Sequence, residues 1–187
     1  MQKRRSQAER RKSTKSLLLA TAKKLFGLHG YANTSLEDIA NDCELTVGPI
    51  YHYFDNKLGL FTAVTEQIEE LVIEEMTATE NPSASDVWSH FMEHCEDPEF
   101  RQIILIDGPT VLGTGRQREG RITQAALENS AEIFGTKPDG LKAHMLMGAL
   151  SYASLFIAEN GAKSNDYEEI REFIKFFSNT GKQSNLS

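Results

Sequence analysis

Cysteine is nearly absent from this 187-residue chain: Cys43 and Cys95 are the only two. Two thiols are too few for a disulfide scaffold and fit a reducing compartment, so the expected location is the cytoplasm. Each reads first as a small buried hydrophobe. No apolar run approaches the roughly 20 residues a helix needs to cross a bilayer, so no membrane partner is expected. The start, "MQKRRSQAERRKSTKSLLLATAKKLF", is basic, but its apolar stretch runs only from Leu17 to Ala20 before Lys23 and Lys24 intervene. A secretory signal is not expected there. Also missing are a Gly-rich phosphate loop, a Gly-x-Ser-x-Gly elbow and a metalloprotease helix. Nothing therefore argues for an enzyme, and no cofactor is expected. There is no internal repeat and no convincing period-2 strand; "QIILI" at 102–106 is too short to separate strand from helix.

What is present is a soluble-protein composition, 40% hydrophobic and 25% charged, with charge unevenly spread. The formal net charge is -7, yet residues 1–60 hold ten Lys/Arg against six Asp/Glu, leaving ten against 21 for the rest. A basic first third on an acidic body suggests that one end meets a polyanion. The basic start "KRRSQAERRK" reads either as a flexible arm, over about residues 1–8, or as an extension of the first helix.

Helical periodicity runs through almost the whole chain, and the expected fold is all-α with about nine helices. Leu18, Ala22, Leu25 and Phe26 give one face of a helix from about residue 8 to Leu28, closed by His29-Gly30 with the glycine available for a left-handed cap. Thr34 or Ser35 would cap a short helix with Leu36, Ile39, Ala40 and Cys43 on its apolar face. A second short helix would start at Thr46, with Pro49 in its first turn and Ile50 and Phe54 inward. Asp55 or Asn56 would cap a long helix whose stripe is Phe61, Val64, Ile68, Leu71 and Val72. The breaks beyond are Asp97-Pro98, Gly108-Pro109, Lys137-Pro138 and Asn160-Gly161.

Two short helices about three residues apart, behind a longer supporting one, make a helix-turn-helix, whose second helix enters the major groove of DNA. This accounts for "TVGPIYHYF" at 46–54, which crowds rings and polar tips together. Thr46 would cap this helix and offer its hydroxyl to a phosphate or base, Gly48 permits close backbone approach, and Pro49 presents apolar surface to a thymine methyl. Tyr51, His52 and Tyr53 can reach phosphate oxygens along the groove walls. Lys57 adds a charge for the backbone. The alternative for Tyr51 and Tyr53 is packing against neighbouring helices.

Over about Leu18 to Phe61 the chain resembles the TetR-type transcriptional regulators. The matching residues are Leu25-Phe26, Gly30, Thr34-Ser35, Asp38-Ile39-Ala40, Gly48, Ile50-Tyr51, Tyr53-Phe54 and Lys57. Two positions depart from the family pattern: Glu44, where a turn glycine is usual, and Val47, where a polar residue often contacts bases. The resemblance implies a homodimer that reads a palindromic double-stranded DNA operator, an all-α regulatory body, and release of DNA by a small-molecule effector. It implies Thr34 or Ser35, Tyr51, His52 and Lys57 as phosphate partners, with Thr46, Val47 and Pro49 nearest the bases and Val47 making methyl contact.

The expected division is a DNA-binding domain over 1–56, an effector-binding and dimerisation domain over 57–180, and a disordered tail over 181–187. Candidate pocket residues are Trp88, Phe91, Phe100, Ile104, Asp107 and Leu112. Asp107-Gly108-Pro109 should interrupt a helix, either as a simple helix end or as a break whose arrangement a ligand could select. Met145, Gly148, Tyr152 and Phe156, with Ile170, Phe173, Ile174 and Phe177, fit the family's dimer interface. His90, His94 and Cys95 invite a metal reading, but no second ligand cluster accompanies them, and no metal is expected. A helical protein-interaction module that does not read DNA is the other class left open.

Overall fold

The computed structural model describes residues 7–78, 84–113, 121–130, 141–160 and 165–183; at 84–89, 177–183 and scattered positions of the last three helices it describes the backbone alone. The described residues are helical nearly throughout, with no strand among them. In chain order the helices are α1 (Gln7–Asn33), α2 (Leu36–Asp42), α3 (Gly48–Phe54), α4 (Lys57–Thr77) and α5 (Ala84–Glu96). Then Pro98–Phe100, Arg101–Asp107 and Gly108–Leu112 follow without interruption and together form α6. Arg121–Ser130, Leu141–Asn160 and Asp166–Gln183 are α7, α8 and α9.

One apolar cluster runs from Leu18, Ala22 and Phe26 of α1 through Ile39, Ile50, Phe61 and Val72 to Ile103 of α6 and Ile157 of α8. The helix-turn-helix and the body thus share a core. Its centre is α1 against α6. Gly27 makes this possible, because a Cβ there would lie 2.7 Å from the Glu99 side chain. Arg121 of α7 pairs with Glu70 of α4 at 3.0 Å on the outside of the body.

Several elements differ from the sequence expectation. Gly30 does not close α1 with a left-handed cap. Its φ of 77° and ψ of 163° form a kink, and one more turn follows to Asn33. Only glycine takes this conformation readily, since any Cβ meets the backbone there. Leu71 is 48% exposed, so it leaves the buried stripe of α4. Asp107-Gly108-Pro109 does not interrupt α6. Residues 101–107 widen into a π-helical turn instead, in which the Gly108 N–H donates to the Ile103 carbonyl five residues back. The wider turn accommodates Pro109, whose ring would strike the Leu105 carbonyl in an α-helix. At the ends, residues 7 and 8, expected in the arm, and residues 181–183, expected in the tail, are helical; residues 1–6 and 184–187 lie outside the described ones.

Candidate nucleic-acid interface

The helix-turn-helix is assembled from three local devices. First, Ser35 caps α2: its Oγ accepts from the Asp38 N–H at 3.0 Å and donates to Asp38 Oδ2 at 2.6 Å, while its own N–H donates to the same oxygen at 2.9 Å. The Ser35 hydroxyl bond is the first cause that holds the Asp38 carboxyl below its usual range, followed by the backbone bond.

Second, α2 ends in a Schellman motif. Leu45 N–H donates to Ala40 O at 2.9 Å and Glu44 N–H to Asn41 O at 3.0 Å. Glu44 takes the left-handed φ of 55° that this motif demands and that glycine usually supplies. The turn geometry therefore forms without its glycine, at the cost of Cβ strain.

Third, α3 begins one residue after Val47, which is the N-cap and makes no side-chain cap bond. Thr46 is therefore not the cap; it stands one residue outside, exposed. Ile50 and Phe54 are buried, as the i, i+4 spacing requires. The opposite side carries Tyr51, 53% exposed, and exposed His52. Tyr53 is half-buried, its ring 4.9 Å from His52 and 6.2 Å from Phe54. Gly48 is exposed, and a Cβ there would meet only Thr46 Oγ1, at an ordinary 3.7 Å. Nothing in the fold requires that residue to be glycine.

Thr34 leaves the set of phosphate partners: it is 2% exposed and its hydroxyl donates to the Gly30 and Leu25 carbonyls at 2.9 and 3.2 Å. The Ser35 hydroxyl proton is committed to Asp38. Lys57 is half-buried, its ammonium 4.3 Å from the centre of the Tyr31 ring, an electrostatic contact with the ring face. The sequence reading missed Lys15, whose Nζ stands 5.8 Å over the Phe54 ring. With Arg10, Arg11 and Lys12 it forms an exposed basic start to α1. The charge count hinted at this group; only the helix places Lys15 beside α3. A groove of about 690 Å³ follows, lined by Lys15, Tyr51 to Gly59 (save Lys57) and the start of α4.

In the body, the candidate pocket residues lie in different surroundings. Phe100 is fully buried, edge-on to Phe91 at 5.9 Å, with the His94 ring at 5.5 Å. Ile104 and Leu112 are half-buried against the core. Asp107 turns toward Tyr31 of α1, not into a pocket. The Trp88 side chain lies outside the described residues. His94 Nε2 is 2.7 Å from Glu75 Oε2, and Cys95 is a buried thiol pushed up to about 12 by desolvation.

On α8, Leu141, Met145, Gly148, Tyr152 and Phe156 form an exposed face, while Leu146, Leu150 and Ile157 point inward. On α9, Phe173 is exposed and Ile170 half-buried, but Ile174 is buried within the chain and so is not free to meet a partner. Phe176, which the stripe omitted, is 67% exposed. The Phe177 side chain lies outside the described residues.

Residues 18–64 match the family model of bacterial regulatory proteins of the tetR family, and residues 82–178 that of the tetracycline-repressor-like C-terminal domain. A TetR-family transcriptional regulator from Pectobacterium atrosepticum is 31% identical, with a TM-score of 0.67 over 92% of this chain and 95% of that one. NalD of Pseudomonas aeruginosa, the secondary repressor of the MexAB-OprM multidrug efflux pump, shares the fold with a TM-score of 0.55 at 21% identity, over 86% of this chain and 93% of that one. The probable acrEF/envCD operon repressor of Escherichia coli K12 is 40% identical over 77 residues, which is 40% of this chain. The match spans about a third of that repressor's length, 34%.

Proposed function

The chain belongs to the tetR family of bacterial regulatory proteins, and from that premise we propose that it is a repressor that binds a palindromic operator as a homodimer and is released by a small molecule. The family is one of transcriptional regulators, not of enzymes. The observation that carries the reading is the division of α3: Ile50 and Phe54 are buried while Tyr51 and His52 stand in solvent beside an exposed Gly48 that the fold does not need. A short helix held by two buried side chains and presenting polar rings suits a major groove. Lys15 lies beside the end of α3 and suits a flanking phosphate. The exposed apolar face of α8, with Phe173 and Phe176 of α9, supports pairing with a second copy. Repression rests on likeness to the named repressors, and control by an effector on membership of the family.

The test is selection from randomised duplexes by the purified protein, followed by a salt titration on the winning sequence. A two-fold symmetric site is expected, with affinity falling roughly 10³-fold or more between 50 and 200 mM salt if about six phosphates are neutralised. No enriched site and no salt-sensitive binding at micromolar protein would overturn the reading and favour a protein-interaction module.

A further inference from the structure

Lys57 opens α4, and only Asp55 and Asn56 separate it from the end of α3. Its ammonium stands 4.3 Å from the centre of the Tyr31 ring. Lys57 and Phe61 are four residues apart on one face of α4, and both meet that ring, Phe61 with its own ring 4.9 Å away. The Phe26 ring of α1 lies 5.8 Å from it. Phe26 and Phe61 are fully buried, and the Tyr31 N–H donates to Asp107 Oδ2 at 2.7 Å. Tyr31 is thus fixed through its ring and its backbone, and it gives Lys57 a rigid seat.

The kind of contact matters for what the lysine can still do. Burial pushes the Tyr31 phenol above its ordinary 10.0, so at neutral pH the ring is uncharged and attracts the cation by its face alone. An ion pair would occupy ammonium N–H groups; a ring face holds the charge and leaves those donors for another acceptor. Among the described residues the Lys57 ammonium makes no ion pair and no hydrogen bond. Asp38 is within electrostatic reach, but its carboxyl is held low first by the Ser35 hydroxyl and then by the Ser35 N–H, and Lys57 is the smallest of the causes. The ammonium is therefore held in place and still free to donate. A mobile lysine loses rotamer freedom when it binds an anion, whereas one seated on a ring has lost much of it on folding.

We propose that Tyr31 is a positioning residue for DNA, its ring fixing the Lys57 ammonium where it meets a phosphate beside α3. Tyr31 touches no DNA itself and acts through Lys57. The inference deepens the regulator reading above and rests on it for the phosphate; the seat on the ring is an intramolecular contact and can be read without DNA.

The experiment compares the full chain as wild type, Tyr31→Phe, Tyr31→Leu, Lys57→Met and Tyr31→Leu/Lys57→Met. Without DNA, the ring current of Tyr31 should place the Lys57 ε-methylene proton resonances upfield of those of the other lysines, in wild type and in Tyr31→Phe but not in Tyr31→Leu. On the selected duplex, Lys57→Met should reduce the slope of log affinity against log salt by about 0.9, the loss of one phosphate. Tyr31→Leu should weaken binding about three- to tenfold, the cost of ordering one free side chain, and Tyr31→Phe should restore it. In the Lys57→Met background Tyr31→Leu should change affinity less than about twofold. An unshifted wild-type resonance overturns the seat, and an unchanged salt slope in Lys57→Met overturns the phosphate contact. Equal weakening by Tyr31→Leu with and without Lys57 means general loosening and overturns the positioning role, as does a Tyr31→Phe that binds no better than Tyr31→Leu. Should Tyr31→Leu fail to fold, the wild-type resonance and the Lys57→Met slope still decide the seat and the phosphate. A wild type that binds no duplex overturns the function proposed above and the DNA role of Tyr31 with it, whereas a wild type that binds with any of the contrary results overturns this inference alone.

Discussion

The carbonyl oxygen of Phe54 occupies the place where a side chain on Gly59 would begin. This contact sets the angle between α3 and α4. Asp55 alone turns the chain between them, with φ 72° and ψ -47°, and Asn56 N–H donates back to Phe54 O at 2.8 Å. The result is a γ-turn, a strained conformation for a residue with a Cβ. Asn56 then caps α4 through Gly59 N–H at 2.8 Å. Gly59→Ala should cost about 1–3 kcal/mol by overpacking, since backbone is the atom in the way. Urea unfolding followed by circular dichroism measures this; an unshifted midpoint would mean that the turn relaxes freely.

Glu44 holds a left-handed conformation in the Schellman turn between α2 and α3. A Cβ there costs roughly 1–2 kcal/mol, and glycine returns about 0.4–1 kcal/mol of that through a more flexible unfolded chain. Glu44→Gly should therefore stabilise the protein by about 0.5–1 kcal/mol. The same unfolding experiment reads it, and a lowered midpoint would show that the Glu44 side chain contributes more than its strain costs.

The capping pair of α2 should be visible in acid. The folded Asp38 carboxyl titrates below its ordinary value of 3.8, chiefly through the Ser35 hydroxyl. A depressed folded pKa means stabilisation that is fully present above the ordinary value and lost as pH falls below it. Ser35→Ala removes the main cause, so the stability gap between wild type and variant should shrink as pH is lowered from 5 toward 3. A gap that stays constant over that range would show that the cap works without the charge.

Both thiols should be inert in the native state. Cys95 is fully buried with its pKa near 12, and Cys43 is 7% exposed. Thiolate is the reactive form, so a thiol reagent at pH 8 should label neither residue until urea is added, and then both. Rapid labelling of the native protein would locate an opening of the core.

On the face of α3, two substitutions separate affinity from specificity. Tyr51→Phe removes one hydroxyl from an exposed ring and should weaken every duplex alike, by about three- to tenfold. Gly48→Ala should fold normally, because its Cβ has room, yet weaken binding by keeping the backbone off the groove. Direct titration of several duplexes checks both. Equal affinity of wild type and Tyr51→Phe on all of them would remove the phosphate role of Tyr51.

Much of the local structure is determined by the sequence alone. The i, i+4 pair Ile50 and Phe54 points inward because a helix returns to the same face in that interval. Ser35 and Asp38, three residues apart, make a cap wherever a helix starts there. These are short-range rules, and "TVGPIYHYF" obeys them in isolation. Contacts across the fold decide the rest. α8 is apolar on more than one side, so its own pattern cannot say that Leu146, Leu150 and Ile157 are buried while Tyr152 and Phe156 face outward; neighbouring helices choose. Thr34 resembles a cap by its position, yet the Gly30 kink offers two carbonyls that draw its hydroxyl inward. Lys57 finds Tyr31 only because α4 folds back on α1. Asp107 reads in sequence as the residue before a break. It meets Tyr31, 76 residues away, because the kink exposes an amide that the interior must satisfy and α6 lies alongside to supply the carboxylate.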